Sequence, residues 1–255
     1  AWDGLSFWFL LASALIWQFA AVQRLLLPGQ DRPGRGGQRL FLSAMAGNFL
    51  LVLSADALSF YVGFALMGLS AYGLVVERRS QRARRAGRVY LAWTLAGELA
   101  LFCALVLVAA RAPGLLFSDL AGTQLPAMAV ALILFGFGIK LALPGLHPWL
   151  PLTYTTAPLI SVAVLSGPMM KAGLLGWIRF LPPGAENLQT WGGVLIWLGV
   201  AGLLFGAILA LMQYRASAIL AYSSIAKMGL VSSLFGYSLA HPEQADTVIA
   251  ALVLF

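Results

Sequence analysis

The stretch "GFGIKLALPGLHPWLP", residues 136–151, decides the reading of the chain. It begins as an apolar helix of membrane type, yet carries Lys140 and then Pro144, Pro148 and Pro151. A lysine near the centre of a bilayer costs about 2.5–3.5 kcal/mol on insertion scales. A proline in a helix interior removes a hydrogen bond and clashes with the preceding turn, at about 3 kcal/mol. Interrupted helices are tolerated at membrane depth only where they are buried in protein or line a water-filled cavity. The pattern therefore predicts a broken transmembrane helix, with freed carbonyls and half-helix ends beside Lys140.

The rest of the chain fits such a setting. Only 10% of the 255 residues are charged, 61% are hydrophobic, and the mean hydropathy is +0.88. Soluble domains carry closer to 25% charge, so these values predict an all-α polytopic membrane protein. An outer-membrane barrel would alternate apolar and polar residues in short strands; here the apolar runs are continuous and of helical spanning length. Eight spans are expected, at 4–26, 39–56, 57–76, 88–110, 126–147, 158–180, 191–213 and 215–238, with a ninth from 246 onward. Turns rich in Gly and Pro separate them ("LPGQDRPGRGG", "RAPG", "LPPGAEN", "HPEQAD"). The first residues show neither a basic leader nor an initiator Met, and the last stop within an apolar run, so the chain reads as an excerpt truncated at both ends. Cys103 is the only cysteine, which excludes a disulfide framework and iron–sulfur spacing.

If the spans alternate, one face holds Arg24, Arg32, Arg35, Arg39, Arg78, Arg79, Arg82, Arg84, Arg85, Arg88 and Arg215, and the other only Arg111 and Arg179. The arginine-rich loops are expected to be cytoplasmic, in a cell inner (plasma) membrane. This distribution reads as a topology signal and not as a nucleic-acid site.

Every loop cation is arginine, whereas the three lysines, Lys140, Lys171 and Lys227, all fall inside spans, as does Glu98 in "LAWTLAGELALFCALV". Arginine holds its proton at any accessible pH, while a buried lysine readily changes its own. A single such lysine is explained by snorkelling or by pairing with a neighbouring helix. Four midplane groups would together cost roughly 10–14 kcal/mol if charged and unpaired, and as a set they point to a proton or ion relay. His147, just past the break, reads either as a further proton carrier or as a core histidine bonded to a backbone carbonyl. Clustered transition-metal ligands are not apparent, with only two distant histidines.

The segment "GFGIKLALPGLHPWLPLTYTTAPLISVAVLSGPMMKAGLLGWIRFLP", residues 136–182, and "ILAYSSIAKMG", residues 219–229, resemble the signatures of the proton-conducting antiporter-like subunits of respiratory complex I, energy-converting hydrogenases and Mrp-type Na+/H+ antiporters. The resemblance implies inverted five-helix repeats, each with a broken helix. Residues 39–180 would form the first repeat and 191–255 the start of the second, within a single transmembrane domain 1–255. It implies that Lys140 is the broken-helix lysine, that Lys171 follows one helix later, and that Lys227 extends the relay.

It further implies a proton-translocating subunit of an NADH-quinone oxidoreductase-like or group 4 hydrogenase-like complex, not catalytic alone. Its partners would be other membrane subunits and a soluble redox module. Iron–sulfur, flavin or nickel–iron centres would sit in those partners, with no cofactor in this chain. Two other readings stay open: an Mrp-type cation/proton antiporter subunit using Na+, and an ion-coupled energising subunit of an inorganic-carbon uptake complex. One departure matters. Where the family carries a glutamate after an aromatic residue, "GFALMGLSAYGLV" has Ala65. Glu98 is the nearest candidate to replace that carboxylate, and a scaffold that has lost conduction is the alternative.

Overall fold

The computed structural model describes residues 3–26, 34–120, 123–184 and 186–254. Residues 27–33, Arg32 among them, lie outside the described residues, as do the side chains of Glu186 and Leu254. Twelve α-helices are present among the described residues, α1 (Gly4–Leu26), α2 (Arg35–Leu53), α3 (Ala57–Val75), α4 (Gln81–Ala109), α5 (Phe117–Leu120), α6 (Ala127–Lys140), α7 (Trp149–Thr156), α8 (Leu159–Val164), α9 (Met170–Phe180), α10 (Gln189–Leu211), α11 (Ala216–Ala240) and α12 (Ala245–Leu254). Six helical segments are long and apolar enough to cross a membrane, with α8 and α9 counting as one segment, Leu159–Phe180. The protein is an all-helical, multi-pass membrane protein.

Contacts at the helix ends show that the spans alternate in direction. At one face Asp3, ahead of α1, pairs with Arg179 near the end of α9. There too Ala57 N–H donates to the Leu115 carbonyl and Asn187 Nδ2 to the Leu125 carbonyl. At the other face Arg24, Glu77 and Ser161 meet at the ends of α1, α3 and α8.

Two boundaries differ from those read in the sequence. α4 starts at Gln81, seven residues before the apolar run, because the Ser80 side chain accepts from Ala83 N–H and caps the helix. Arg82, Arg84, Arg85 and Arg88 are therefore helical, not loop, residues. The expected single span 126–147 holds only one half-helix, α6, and most of the break; the second half-helix, α7, lies beyond it. α6 covers only about 21 Å at 1.5 Å per residue, short of the hydrocarbon thickness, and α7 resumes after an irregular stretch at 141–148.

The hairpin of α10 and α11 shows how closely these helices approach. A Cβ placed on Gly199 would lie 2.5 Å from the Gly229 carbonyl oxygen, so only glycine permits this separation. The core beneath the break is aromatic. Phe60, Phe137 and Phe180 meet edge to face or tilted, with centroids 5.4–5.8 Å apart.

Candidate functional site

The break begins at the C-terminal end of α6. Lys140 is its last residue, and Ala142 takes φ +54°, a left-handed conformation that ends the helix. For a residue with a Cβ this conformation costs about 1–2 kcal/mol. Gly145 follows at φ +85°, where glycine is unstrained. Pro144 lies in the irregular stretch, Pro148 caps α7, and Pro151 sits in its first turn, where its missing N–H leaves no helical bond unmade. The prolines thus start the second half-helix as much as they end the first. The Ile139 carbonyl accepts from Trp149 Nε1 at 2.8 Å and from Ala142 N–H at 3.0 Å. The two half-helices are thereby stitched across the gap.

Lys140 and Glu98 are both buried, each 5% exposed, and share a small cavity with Phe64, Tyr90, Thr94 and Trp149. Its volume of about 10 Å³ is close to the minimum for one water. Lys140 Nζ donates to the Tyr90 hydroxyl at 2.9 Å, and that hydroxyl donates to the Gly68 carbonyl at 2.9 Å. The ammonium also lies 5.2 Å from the Tyr90 ring centre and 5.8 Å from that of Phe64, within cation–π range. Among the described residues neither Glu98 carboxylate oxygen has a hydrogen-bond partner. Gly68 separates the two groups: a Cβ there would lie 3.0 Å from Glu98 Oε1 and 3.6 Å from Lys140 Nζ.

Lys171 and Lys227 share a second, larger cavity of about 250 Å³, together with Tyr154, Ser166, Ser223 and Ser224. Among the described residues no carboxylate lines it. Lys171 follows a π-helical segment, Leu165–Met169, with Pro168 inside. A proline cannot complete the α-helical ladder, and the wider turn accommodates it. Lys140 faces the first cavity and Lys171 the second; Gly173, one helical half-turn beyond Lys171, packs against the Lys140 stem, with its would-be Cβ 3.3 Å from Lys140 Cβ. His147 is half-buried and meets the Phe205 ring at 4.9 Å.

Two participants were not singled out in the sequence. Tyr90 belongs with Thr94 and Glu98 to a polar stripe at four-residue spacing on the otherwise apolar part of α4, residues 89–109, which is the signal for it. Arg24 reads as a loop-flanking charge but is 9% exposed, bonded to Glu77 at 2.7 Å and to Ser161 at 3.2 Å, with its guanidinium 4.3 Å from the Phe41 ring centre. Among the described residues no three His, Cys, Asp or Glu side chains gather into a group that would hold a metal.

Known proteins resemble the chain in sequence and in fold. A family model described as NADH:quinone oxidoreductase/Mrp antiporter, transmembrane, matches residues 54–254. Component B of hydrogenase-4 from Escherichia coli K12 is 28% identical over 229 residues, covering 87% of this chain and 34% of that protein. Subunit N of the NADH-quinone oxidoreductase of Desulforudis audaxviator is 32% identical over 206 residues, 75% of this chain and 40% of that one. Among solved structures, respiratory complex I from Thermus thermophilus superposes with a TM-score of 0.78 at 25% identity, over 100% of this chain and 56% of the matched chain. The Mrp complex from a Dietzia species gives 0.81 at 22%, over 92% and 45%, a likeness of fold. The chain thus spans from 31% to 47% of the length of the curated relatives it matches. With four fifths of its length matched, it belongs to the NADH:quinone oxidoreductase/Mrp antiporter transmembrane family.

Proposed function

We propose that the chain is part of a proton-translocating membrane subunit of a multi-subunit complex of NADH-quinone oxidoreductase or group 4 hydrogenase type. Glu98 and Lys140 form the coupled pair of a first half-channel, and Lys171 and Lys227 carry the proton laterally from it. The observation that carries this reading is the buried Glu98 carboxylate, unpartnered on both oxygens beside a buried lysine at a helix break. Buried polar groups retained for stability are hydrogen-bonded, and buried charges are paired. A carboxylate left open next to a lysine that bonds elsewhere suits a site that exchanges partners and protons.

In this scheme an ionised Glu98 favours the protonated ammonium of Lys140, and neutralising Glu98 releases the proton. The larger cavity has room for several waters between Lys171 and Lys227. Two ammoniums facing one cavity repel each other, so a proton arriving at one favours departure from the other. His147 stands beyond the break, toward the arginine-rich face. That face is cytoplasmic in this reading, and the membrane is the cell inner membrane. Residues 39–180 make up the first five-helix unit and 191–255 the beginning of the second. Redox centres, whether iron–sulfur, flavin or nickel–iron, belong to a soluble module carried by partners.

The test is proton uptake by the full-length protein in its native complex, reconstituted into vesicles. Lys140→Ala is expected to abolish uptake while the complex still assembles. Uptake at the wild-type rate in that variant would leave a scaffold and sink the relay. Transport that requires Na+ would move the assignment to the Mrp-type antiporter. A soluble zinc protein in place of a redox module, found by mass spectrometry of the purified complex, would move it to inorganic-carbon uptake.

A further inference from the structure

Tyr90 is 1% exposed, and its hydroxyl has both of its principal roles filled. It gives its proton to the Gly68 carbonyl and takes a proton bond from Lys140. The hydroxyl proton being committed to backbone, its lone pair is aimed at the ammonium, the stronger, charge-assisted kind of contact. Glu98 lies two helical turns further along the same helix, on the same polar stripe, and its carboxylate stays empty-handed. The Lys140–Glu98 separation exceeds ion-pair distance, yet the two groups converge on the same missing side chain. The place a Cβ of Gly68 would take is within 3.6 Å of Lys140 Nζ and 3.0 Å of Glu98 Oε1. An ammonium that turns off Tyr90 past Gly68, beside the Thr94 methyl that lies 3.2 Å from the same point, moves toward the carboxylate.

We infer that Tyr90 is a positioning residue that holds Lys140 away from Glu98, so that the lysine alternates between the Tyr90 hydroxyl and the Glu98 carboxylate. The inference rests on the relay proposed above and specifies its resting state. No covalent bond is made or broken in the switch; the ammonium exchanges one acceptor for another. The groups packed around Lys140 limit the alternatives. α4 presents Tyr90, Thr94 and Glu98, α3 presents Phe64 and Gly68, α7 presents Trp149, and α9 presents Gly173. Among the described residues Glu98 is thus the only carboxylate in that cavity.

Tyr90→Phe tests the inference, because it removes one oxygen and keeps the ring that meets Trp149 edge to face at 5.4 Å. Proton uptake of the full-length complex in vesicles is measured against pH, and the position of Lys140 is read from a density map of the variant. Without the hydroxyl, Lys140 settles on Glu98, within about 4 Å. A carboxylate at that range favours the ammonium, so the alkaline limb of the pH profile moves up by about 1–3 units. A merely structural tyrosine would lower the rate and leave the limb in place. An unmoved or lowered limb, or a Lys140 that keeps its wild-type position, overturns the inference. Lys140→Ala in the same preparation keeps the two readings apart: its loss of uptake sustains the relay whatever Tyr90 does.

Discussion

The indole of Trp149, the first residue of α7, donates at 2.8 Å to the carbonyl of Ile139, one residue before the end of α6. One half of the broken helix thus satisfies the other. Trp149→Phe keeps an aromatic ring but removes the donor and part of a fully buried indole, while Ala142 N–H still reaches the same carbonyl. The lost bond costs about 1 kcal/mol net, and the unfilled space adds about 1–3 kcal/mol. Thermal unfolding of the purified protein measures their sum, and proton uptake should fall more steeply than stability because the bond fixes the residue next to Lys140.

Glu98→Gln is close in size and retains none of the charge. With no bonding partner for the native carboxylate, the amide costs little in stability. Loss of a positioned acid or base lowers rates by about 10²–10⁴-fold, so vesicle proton uptake is expected to drop by at least the lower figure. A wild-type rate would point to a different acid in the relay.

Arg24 and Glu77 form a pair whose side chains are 9% and 14% exposed, tying the ends of α1 and α3 to Ser161 of α8. Glu77→Gln leaves a buried guanidinium without its counter-charge, which costs about 3–5 kcal/mol. Replacing both partners, Arg24→Met with Glu77→Leu, should recover most of that loss. Chemical unfolding of the single and double variants decides it.

Asp3 and Arg179 form a two-pronged ion pair at the opposite face, 2.7 and 2.8 Å. Partial burial works against the Asp3 carboxylate, but the bonds from Arg179 and Ser6 and the Arg179 charge outweigh it and hold its pKa below the ordinary value. A depressed folded-state pKa contributes stability above the unfolded value, near 3.9, and that contribution is lost as the pH falls through the folded-state value. The difference in melting temperature between wild type and Asp3→Asn should be constant at neutral pH and vanish in acid. It should also be small, under about 1 kcal/mol, because Asp3 is 42% exposed.

Long apolar runs made the spans legible in the sequence, since a helix of about 20 apolar residues has little alternative to crossing the bilayer. Lysines confined to spans, and Glu98 among them, were likewise visible as chemistry out of place. Partners were not. Nothing in the residue order says that Lys140 bonds Tyr90 and not Glu98, because three helices and the absent side chain of Gly68 decide it. Arg24 reads as a topology charge because its counter-ion is 53 residues away. The start of α4 was hidden for a local reason: arginines form helix well, and their polarity masks a helix capped by Ser80. The π-helical turn at Pro168 follows from a proline inside a span, a signal of the same kind as the one at Pro144.

The most direct test of the relay is Lys140→Arg in the reconstituted full-length complex. Arginine keeps the positive charge and can still donate to the Tyr90 hydroxyl, but it does not give up its proton at accessible pH. Assembly at the wild-type level with proton uptake abolished is the predicted result, since charge is preserved and only titration is lost. Proton uptake at the wild-type rate in Lys140→Arg would contradict it, and would leave Lys140 a structural cation.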